Sequence, residues 1–175
     1  MRVKLSQDAK IYCIPYDAPE IGVFDIINDT TNVININDSN INKWSGGVLA
    51  QNGLIYTIPY NNNNILVINP DNNEFKYINI NITNNSKWYG GILSQSGLIY
   101  MIPHYDDNVL VLDPMTETIK YITNVGNFNQ DWVGGVLVPN GQIYGIPHNS
   151  DIVLIIKTGL PSLPNWMISP EFNKL

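Results

Sequence analysis

The chain has 175 residues, 9 basic against 15 acidic, a formal net charge of −6 and a single cysteine. The length suits one domain; the acidic balance, with no cluster of Lys or Arg, speaks against nucleic acid or an anionic membrane surface as partner. No apolar run approaches the ~20 residues of a membrane helix, and a lone Cys13 has no intramolecular disulfide partner, which fits a reducing compartment.

In chain order, Met1 to Asp8 lacks the apolar segment of a secretory signal, so a cytoplasmic location is expected. Val3 to Leu5 reads as a first short strand and Ile11-Tyr12-Cys13-Ile14-Pro15 as a second. That phrase returns at Ile55-Tyr56-Thr57-Ile58-Pro59, Ile99-Tyr100-Met101-Ile102-Pro103 and Ile143-Tyr144-Gly145-Ile146-Pro147, each 44 residues after the last. Trp44-Ser45-Gly46-Gly47, Trp88-Tyr89-Gly90-Gly91 and Trp132-Val133-Gly134-Gly135 keep the same beat. A fixed period in this range marks units that cannot bury their own apolar surface and must stack on neighbours.

Within the second unit, short β-rich runs at 46–50, 54–59, 65–69 and 74–78 are separated by Gln51-Asn52-Gly53, by Tyr60 to Asn64 and by Pro70-Asp71-Asn72-Asn73. Such punctuation predicts a four-stranded meander. Gly53, Gly97 and Gly141 supply positive φ in the first hairpin turn; Asp8-Ala9 departs from this and predicts a looser turn. Asn61 to Asn64 reads as a solvated loop. Ile65 to Ile68, Val109 to Leu112 and Ile152 to Ile156 are apolar at every position, so both faces of these strands should be covered. Sheets stacked face to face, with a period in the ~40–45-residue range, point to a small all-β β-propeller of four blades, each of four antiparallel strands. The blades run approximately over 1–43, 44–87, 88–131 and 132–175. The alternative is that each chain forms half of a dimeric eight-bladed ring. The double glycines would open the innermost strands, where backbones crowd the axis. After Ile156 the pattern breaks and 165–175 reads as a cap; Trp166, only 34 residues after Trp132, falls outside the tryptophan series.

The combination of Trp, Gly-Gly-Val-Leu, a turn, Ile-Tyr-x-Ile-Pro and a later Val-Leu-x-x-Asp-Pro resembles a repeat of propeller-like proteins in large DNA viruses and protists. The ending Trp166 to Lys174 is similar to the terminal segment of such proteins, many of which are longer. The resemblance spans nearly the whole chain and implies the fold; it implies a viral or protist origin, with the virion or host-cell cytoplasm as location, and leaves the function open.

A site is expected where the loop entering each first strand meets the loop after each second strand. That places Trp44, Trp88 and Trp132 beside Tyr16, Tyr60, His104 and His148, the residues that follow each Ile-Pro. Aromatic rings with polar tips suit a protein partner or, alternatively, a carbohydrate or other small ligand held in one shallow pocket per blade. His104 and His148 occupy equivalent places, yet no Cys or carboxylate recurs with them, so no metal and no cofactor is expected. Asp25, Asn69 and Asp113 share a position that suits turn initiation better than acid–base chemistry. The expected function is therefore a non-enzymatic interaction module, monomeric or homodimeric, with no nucleic-acid or membrane partner.

Overall fold

Strand-forming phrases punctuated by Asx, Gly and Pro turns fold here as successive antiparallel meanders. The computed structural model describes residues 2–6, 9–125 and 131–159; the proposed cap and Trp166 lie outside them. The first sheet contains β1 (Arg2–Leu5), β2 (Lys10–Ile14), β3 (Glu20–Asp25) and β4 (Thr30–Asn35). The second contains β5 (Trp44–Leu49), β6 (Ile55–Pro59), β7 (Asn64–Ile68) and β8 (Phe75–Asn79). The third contains β9 (Trp88–Leu93), β10 (Ile99–Pro103), β11 (Val109–Asp113) and β12 (Thr118–Ile122). In the fourth, β13 (Trp132–Leu137), β14 (Gln142–Pro147) and β15 (Leu154–Lys157) are described. All four are antiparallel and follow chain order, and every described regular element is a strand.

The first strands of consecutive sheets touch, β1 with β5, β5 with β9 and β9 with β13, so these edges lie innermost. Three apolar cores fill the spaces between sheets. Tyr12, Ile14, Ile21 and Val23 meet Trp44, Ile55, Leu66 and Ile68 between the first two. Tyr56, Ile58, Ile65 and Val67 meet Trp88, Ile99, Leu110 and Leu112 between the next two. Tyr100, Ile102 and Val109 meet Trp132, Ile143, Leu154 and Ile156 in the last. The uninterrupted apolar runs thus serve two cores at once: β7 is buried from Ile65 through Ile68, one set of side chains pointing each way. Among the described residues no fourth core joins the last sheet to the first.

The double glycine does two separate jobs. Trp88 pairs with Pro103 and Gly91 with Met101, so one extra residue is accommodated between them, and the same irregularity recurs in β5 and β13. Gly90 (φ +93°) and Gly134 (φ +72°) absorb this bulge in a backbone region that disfavours side chains. A Cβ on Gly90 would also lie 2.8 Å from Gly134 Cα in the next innermost strand. The second glycine receives a neighbour: a Cβ on Gly91 would overlap Ile58 Cδ1, and one on Gly47 would sit 3.2 Å from Ile14 Cδ1. The Ile-Pro and Gly-Gly motifs are therefore two halves of one contact.

Turn chemistry sets the opposite rim. Asp25, Asn69 and Asp113 each accept a backbone N–H from two residues on, at 3.0, 3.0 and 2.9 Å, forming Asx turns. In the first hairpin Ala9 (φ +61°) takes the left-handed place that Gly53 (φ +81°) fills in the second, so the residue changes there and the positive φ is kept.

These contacts separate the glycines energetically. Gly53→Ala meets no atom within 4 Å and pays only for its positive φ, about 1 kcal/mol. Gly90→Ala adds a backbone collision and should cost roughly 1–3 kcal/mol more. Ala9→Gly should have the opposite sign, gaining up to about 1 kcal/mol. Urea unfolding midpoints of the three variants check the order; equal losses at Gly53 and Gly90 would contradict the crowded axis.

Candidate functional site

The residue after each Ile-Pro leaves its strand at the rim where the innermost strands begin. A zigzag of backbone hydrogen bonds joins these positions. Lys43 N–H donates to Tyr16 O (2.8 Å), Tyr60 N–H to Lys43 O (2.8 Å) and Lys87 N–H to Tyr60 O (3.0 Å). His104 N–H donates to Lys87 O (2.8 Å), Asp131 N–H to His104 O (2.9 Å) and His148 N–H to Asp131 O (2.9 Å). The residue just before each tryptophan is thus the staple between one rim position and the next.

The stapled backbone brings all four rim side chains into one arc. Ring centroids lie 6.0 Å apart for Tyr16 and Tyr60, 5.9 Å for Tyr60 and His104, and 5.8 Å for His104 and His148. Tyr89 packs inside the arc, 5.9 Å from Tyr60 and 5.4 Å from His104, and Tyr105 lies edge-on to His104 at 5.8 Å. These spacings fall in the range of tilted and edge-to-face aromatic contacts. Tyr16 and His148, at the two ends, are exposed, whereas Tyr60 is half-buried and His104 is buried.

His104 is fixed by a neighbour's carbonyl. Its Nδ1 lies 3.1 Å from Trp132 O, and a carbonyl can only accept, so Nδ1 carries the proton. Burial holds the imidazole below its ordinary value, assisted by the nearby His148 and opposed by the Trp132 bond and Asp131. The staple lysines are unusual too. Lys43 and Lys87 are fully buried, their Nζ atoms donating to Asn40 O and Asn84 O. Desolvation lowers both, Lys87 to about 8, with Asp106 acting against that shift. Asp106 itself is raised by burial and is held by the Asn108 backbone N–H and side-chain amide at 2.9 and 2.8 Å.

The tryptophans require a correction. Trp44, Trp88 and Trp132 are 1%, 0% and 1% exposed, wedged between sheets rather than offered to a partner. Each indole N–H donates to the carbonyl 20 residues on, Asn64, Asn108 and Ile152, at 2.8, 2.8 and 3.1 Å. Tyr77 and Tyr121 stack on Trp44 and Trp88 with centroids 6.4 Å away. Side chains so enclosed offer a ligand almost no surface, although Trp44 borders a cleft at the Tyr16 end of the arc. The poly-Asn stretch is also not simply solvated: Asn61 Oδ1 accepts from Ser86 N–H at 2.7 Å, and Asn62 donates to Asp38 Oδ2 at 3.0 Å, cross-linking neighbouring units.

A cleft of about 700 Å³ opens beside the Tyr16 end of the arc. Its lining includes Cys13, Pro15, Tyr16, Asp17, Glu20, Gly22 and Tyr89. Pro15 and Glu20 are the counterparts of Pro59, which pairs with Trp44, and of Asn64, whose carbonyl accepts the Trp44 N–H. Sequence reading placed the arc but missed Tyr89 and the three staples; the position before each tryptophan, occupied by Lys43, Lys87 and Asp131, was the available signal.

The same stack of antiparallel sheets occurs in several solved structures. A catalytically inactive histidine-to-alanine variant of virginiamycin B lyase from Staphylococcus aureus, solved with quinupristin, superposes with a TM-score of 0.71 at 10% identity over 92% of this chain and 56% of that one. An auxiliary nutrient binding protein from Bacteroides ovatus gives 0.64 at 14% identity, covering 94% and 43%. The extracellular domain of a putative one component system from B. thetaiotaomicron gives 0.70 at 17%, covering 91% and 22%. The fold is β-propeller-like. This chain spans little more than half the length of the lyase and less of the others. No family model matches the sequence, and neither does the sequence of any curated protein.

The burial of His104 has a pH signature. Its folded value lies below the unfolded 6.5, so the unfolded state takes up the proton first as pH falls. Its contribution to stability is full above about pH 6.5 and is lost as pH drops through the folded value. His104→Tyr, the residue of the first two units, should flatten the loss in the window that opens as pH falls below about 6.5. Urea midpoints of the two proteins across that window check this; parallel curves would refute it.

Proposed function

We propose that the chain is a non-enzymatic interaction module that holds a protein partner along the rim bearing Tyr16, Tyr60, His104 and His148. The observation that carries this reading is the unbroken row of four rings, each about one ring-width from the next, with exposed members at both ends. Rigid aromatic side chains on a stapled backbone lose little conformational freedom on binding and are frequent interface hot spots. The cleft beside Tyr16 adds an apolar recess with Asp17 and Glu20 in its lining, on a chain of net charge −6. That chemistry favours a partner segment with an apolar or aromatic anchor next to a basic residue.

A fold of this kind hosts both binding and catalysis, as the names of the nutrient binding protein and the lyase attest. The binding role is favoured here because the buried imidazole of the arc is committed to structure, His104 to Trp132 O. A carbohydrate ligand is the second reading, supported by the near-equivalence of the four ring positions. It predicts several weak, similar sites where a protein partner predicts one tight contact.

Selection of a random peptide library on the immobilised chain tests the proposal. Enriched sequences should pair an aromatic or aliphatic anchor with Lys or Arg. Binding of a selected peptide should fall tenfold or more, about 1.4 kcal/mol, in a Tyr16→Ala, His148→Ala double variant. An Asp71→Ala, Asn72→Ala control on exposed turn residues of the opposite rim should bind normally. Loss in the control alone, or enrichment of nothing while a glycan array lights up, would sink the protein-partner reading.

A further inference from the structure

The three cores between sheets are built from the same two surfaces. One, the trailing face, is Tyr56, Ile58, Ile65 and Val67 in the second sheet; the other, the leading face, is Trp88, Ile99, Leu110 and Leu112 in the third. Among the described residues, both kinds of surface are also left uncovered once. On the trailing face of the fourth sheet, Ile146, Val153 and Ile155 are 52%, 51% and 49% exposed. Their counterparts Ile58 and Ile102 are both 0% exposed, as are Ile65 and Val109. The strand β15 alternates buried and exposed although Leu154, Ile155 and Ile156 are all apolar, whereas β7 is buried on both sides. Tyr12 and Tyr56 each donate a hydroxyl hydrogen to a turn carbonyl of the following sheet, Pro70 and Pro114, both at 3.1 Å; Tyr144 donates instead to Gln142 of its own strand. At the other end, Leu5 of the first sheet's leading face is 56% exposed, and Ile11 and Phe24 are only half-buried where Ile55 and Ile68 are fully enclosed.

We propose that a second copy of this chain covers the trailing face of the fourth sheet with the leading face of its own first sheet. The reciprocal contact closes two arcs into one ring of eight sheets. The occupant follows from the internal joints: what covers a trailing face three times in this chain is a leading face, and the described residues present one uncovered leading face. Bringing the two faces together within a single chain would tilt all three joints at once, and close-packed cores resist such adjustment. Eight sheets lie within the known range of ring sizes, and the chain spans 56% of the lyase and 43% of the nutrient binding protein, so two copies are comparable in length to these two.

The new joint is weaker than the internal ones. Cys13 and Gly22 stand where the second sheet has Thr57 and Leu66, so this face carries smaller side chains at those places. Two such joints form together in a closed pair, so the dimer is cooperative yet dissociates on dilution.

Sedimentation velocity of the chain from about 1 to about 100 µM tests this, with mass doubling over the series as the expected result. Val153→Asp with Ile155→Asp should stay monomeric, as should Leu5→Asp alone, and both should keep the far-UV spectrum of the parent and its urea midpoint at about 1 µM, where the parent is dissociated, because the replaced side chains are exposed. An equimolar mixture of the two variants retains one sound joint and should dimerise, more weakly than the parent. A parent that is monomeric throughout overturns the proposal. So does a dimer that survives in both variants, a mixture that remains monomeric, or growth beyond two copies.

Discussion

The contact between the last Ile of each Ile-x-Ile-Pro phrase and the second glycine of the next sheet sets the spacing on which everything else rests. Ile58 fits against Gly91, Ile14 against Gly47 and Ile102 against Gly135; a Cβ would overlap Ile58 at Gly91, crowd Ile14 at Gly47, and touch Ile102 while colliding with Tyr144 O at Gly135. The glycine before it pays in flexibility for a bulge that aims the innermost strand. Close approach there lets the tryptophan, three residues earlier, wedge between the sheets with its N–H satisfied. Packing, polar satisfaction and curvature are thus fixed by a few residues repeated at one interval.

The rim inherits its order from the same joints. Because each staple residue immediately precedes a wedged tryptophan, its backbone is held in place, and it in turn holds the rim residues on both sides. Burial of Lys43 and Lys87 is tolerated because their ammonium groups reach carbonyls of Asn40 and Asn84 and have acidic residues nearby. A charge placed so close to the wedge is costly, and Asp131 in the third staple position shows that no particular sign is required there.

Most of the fold was legible because period, turn residues and apolar runs are local signals. The strand order, the meanders and the positions of Gly53, Gly97 and Gly141 follow from them. The rim arc was legible for the same reason: residues that follow one phrase at one interval must share one edge. Three things were not. The tryptophans were read both as wedges between sheets and as members of a partner surface, since sequence does not distinguish a ring at a loop mouth from one turned inward; only the wedge fits their burial. Asn61 and Asn62 were read as solvated, although amide side chains bond readily to neighbouring units that sequence does not place beside them. The uniformly apolar β15 predicts two covered faces, and one of them is open. A residue pattern records what a strand is built to meet, and leaves unsaid whether the same chain provides it.

The pairing of each Ile with a glycine 33 residues further on has a consequence for descent. Every joint is written half in one repeat and half in the next, in identical terms. An unequal exchange between two copies that keeps the 44-residue frame therefore recreates a complete joint at the crossover, whichever repeats are involved. Gene copies with more or fewer units remain foldable without any compensating change. Number of sheets can then change between gene copies while the sequence within each unit stays the same, provided that the 44-residue frame is kept.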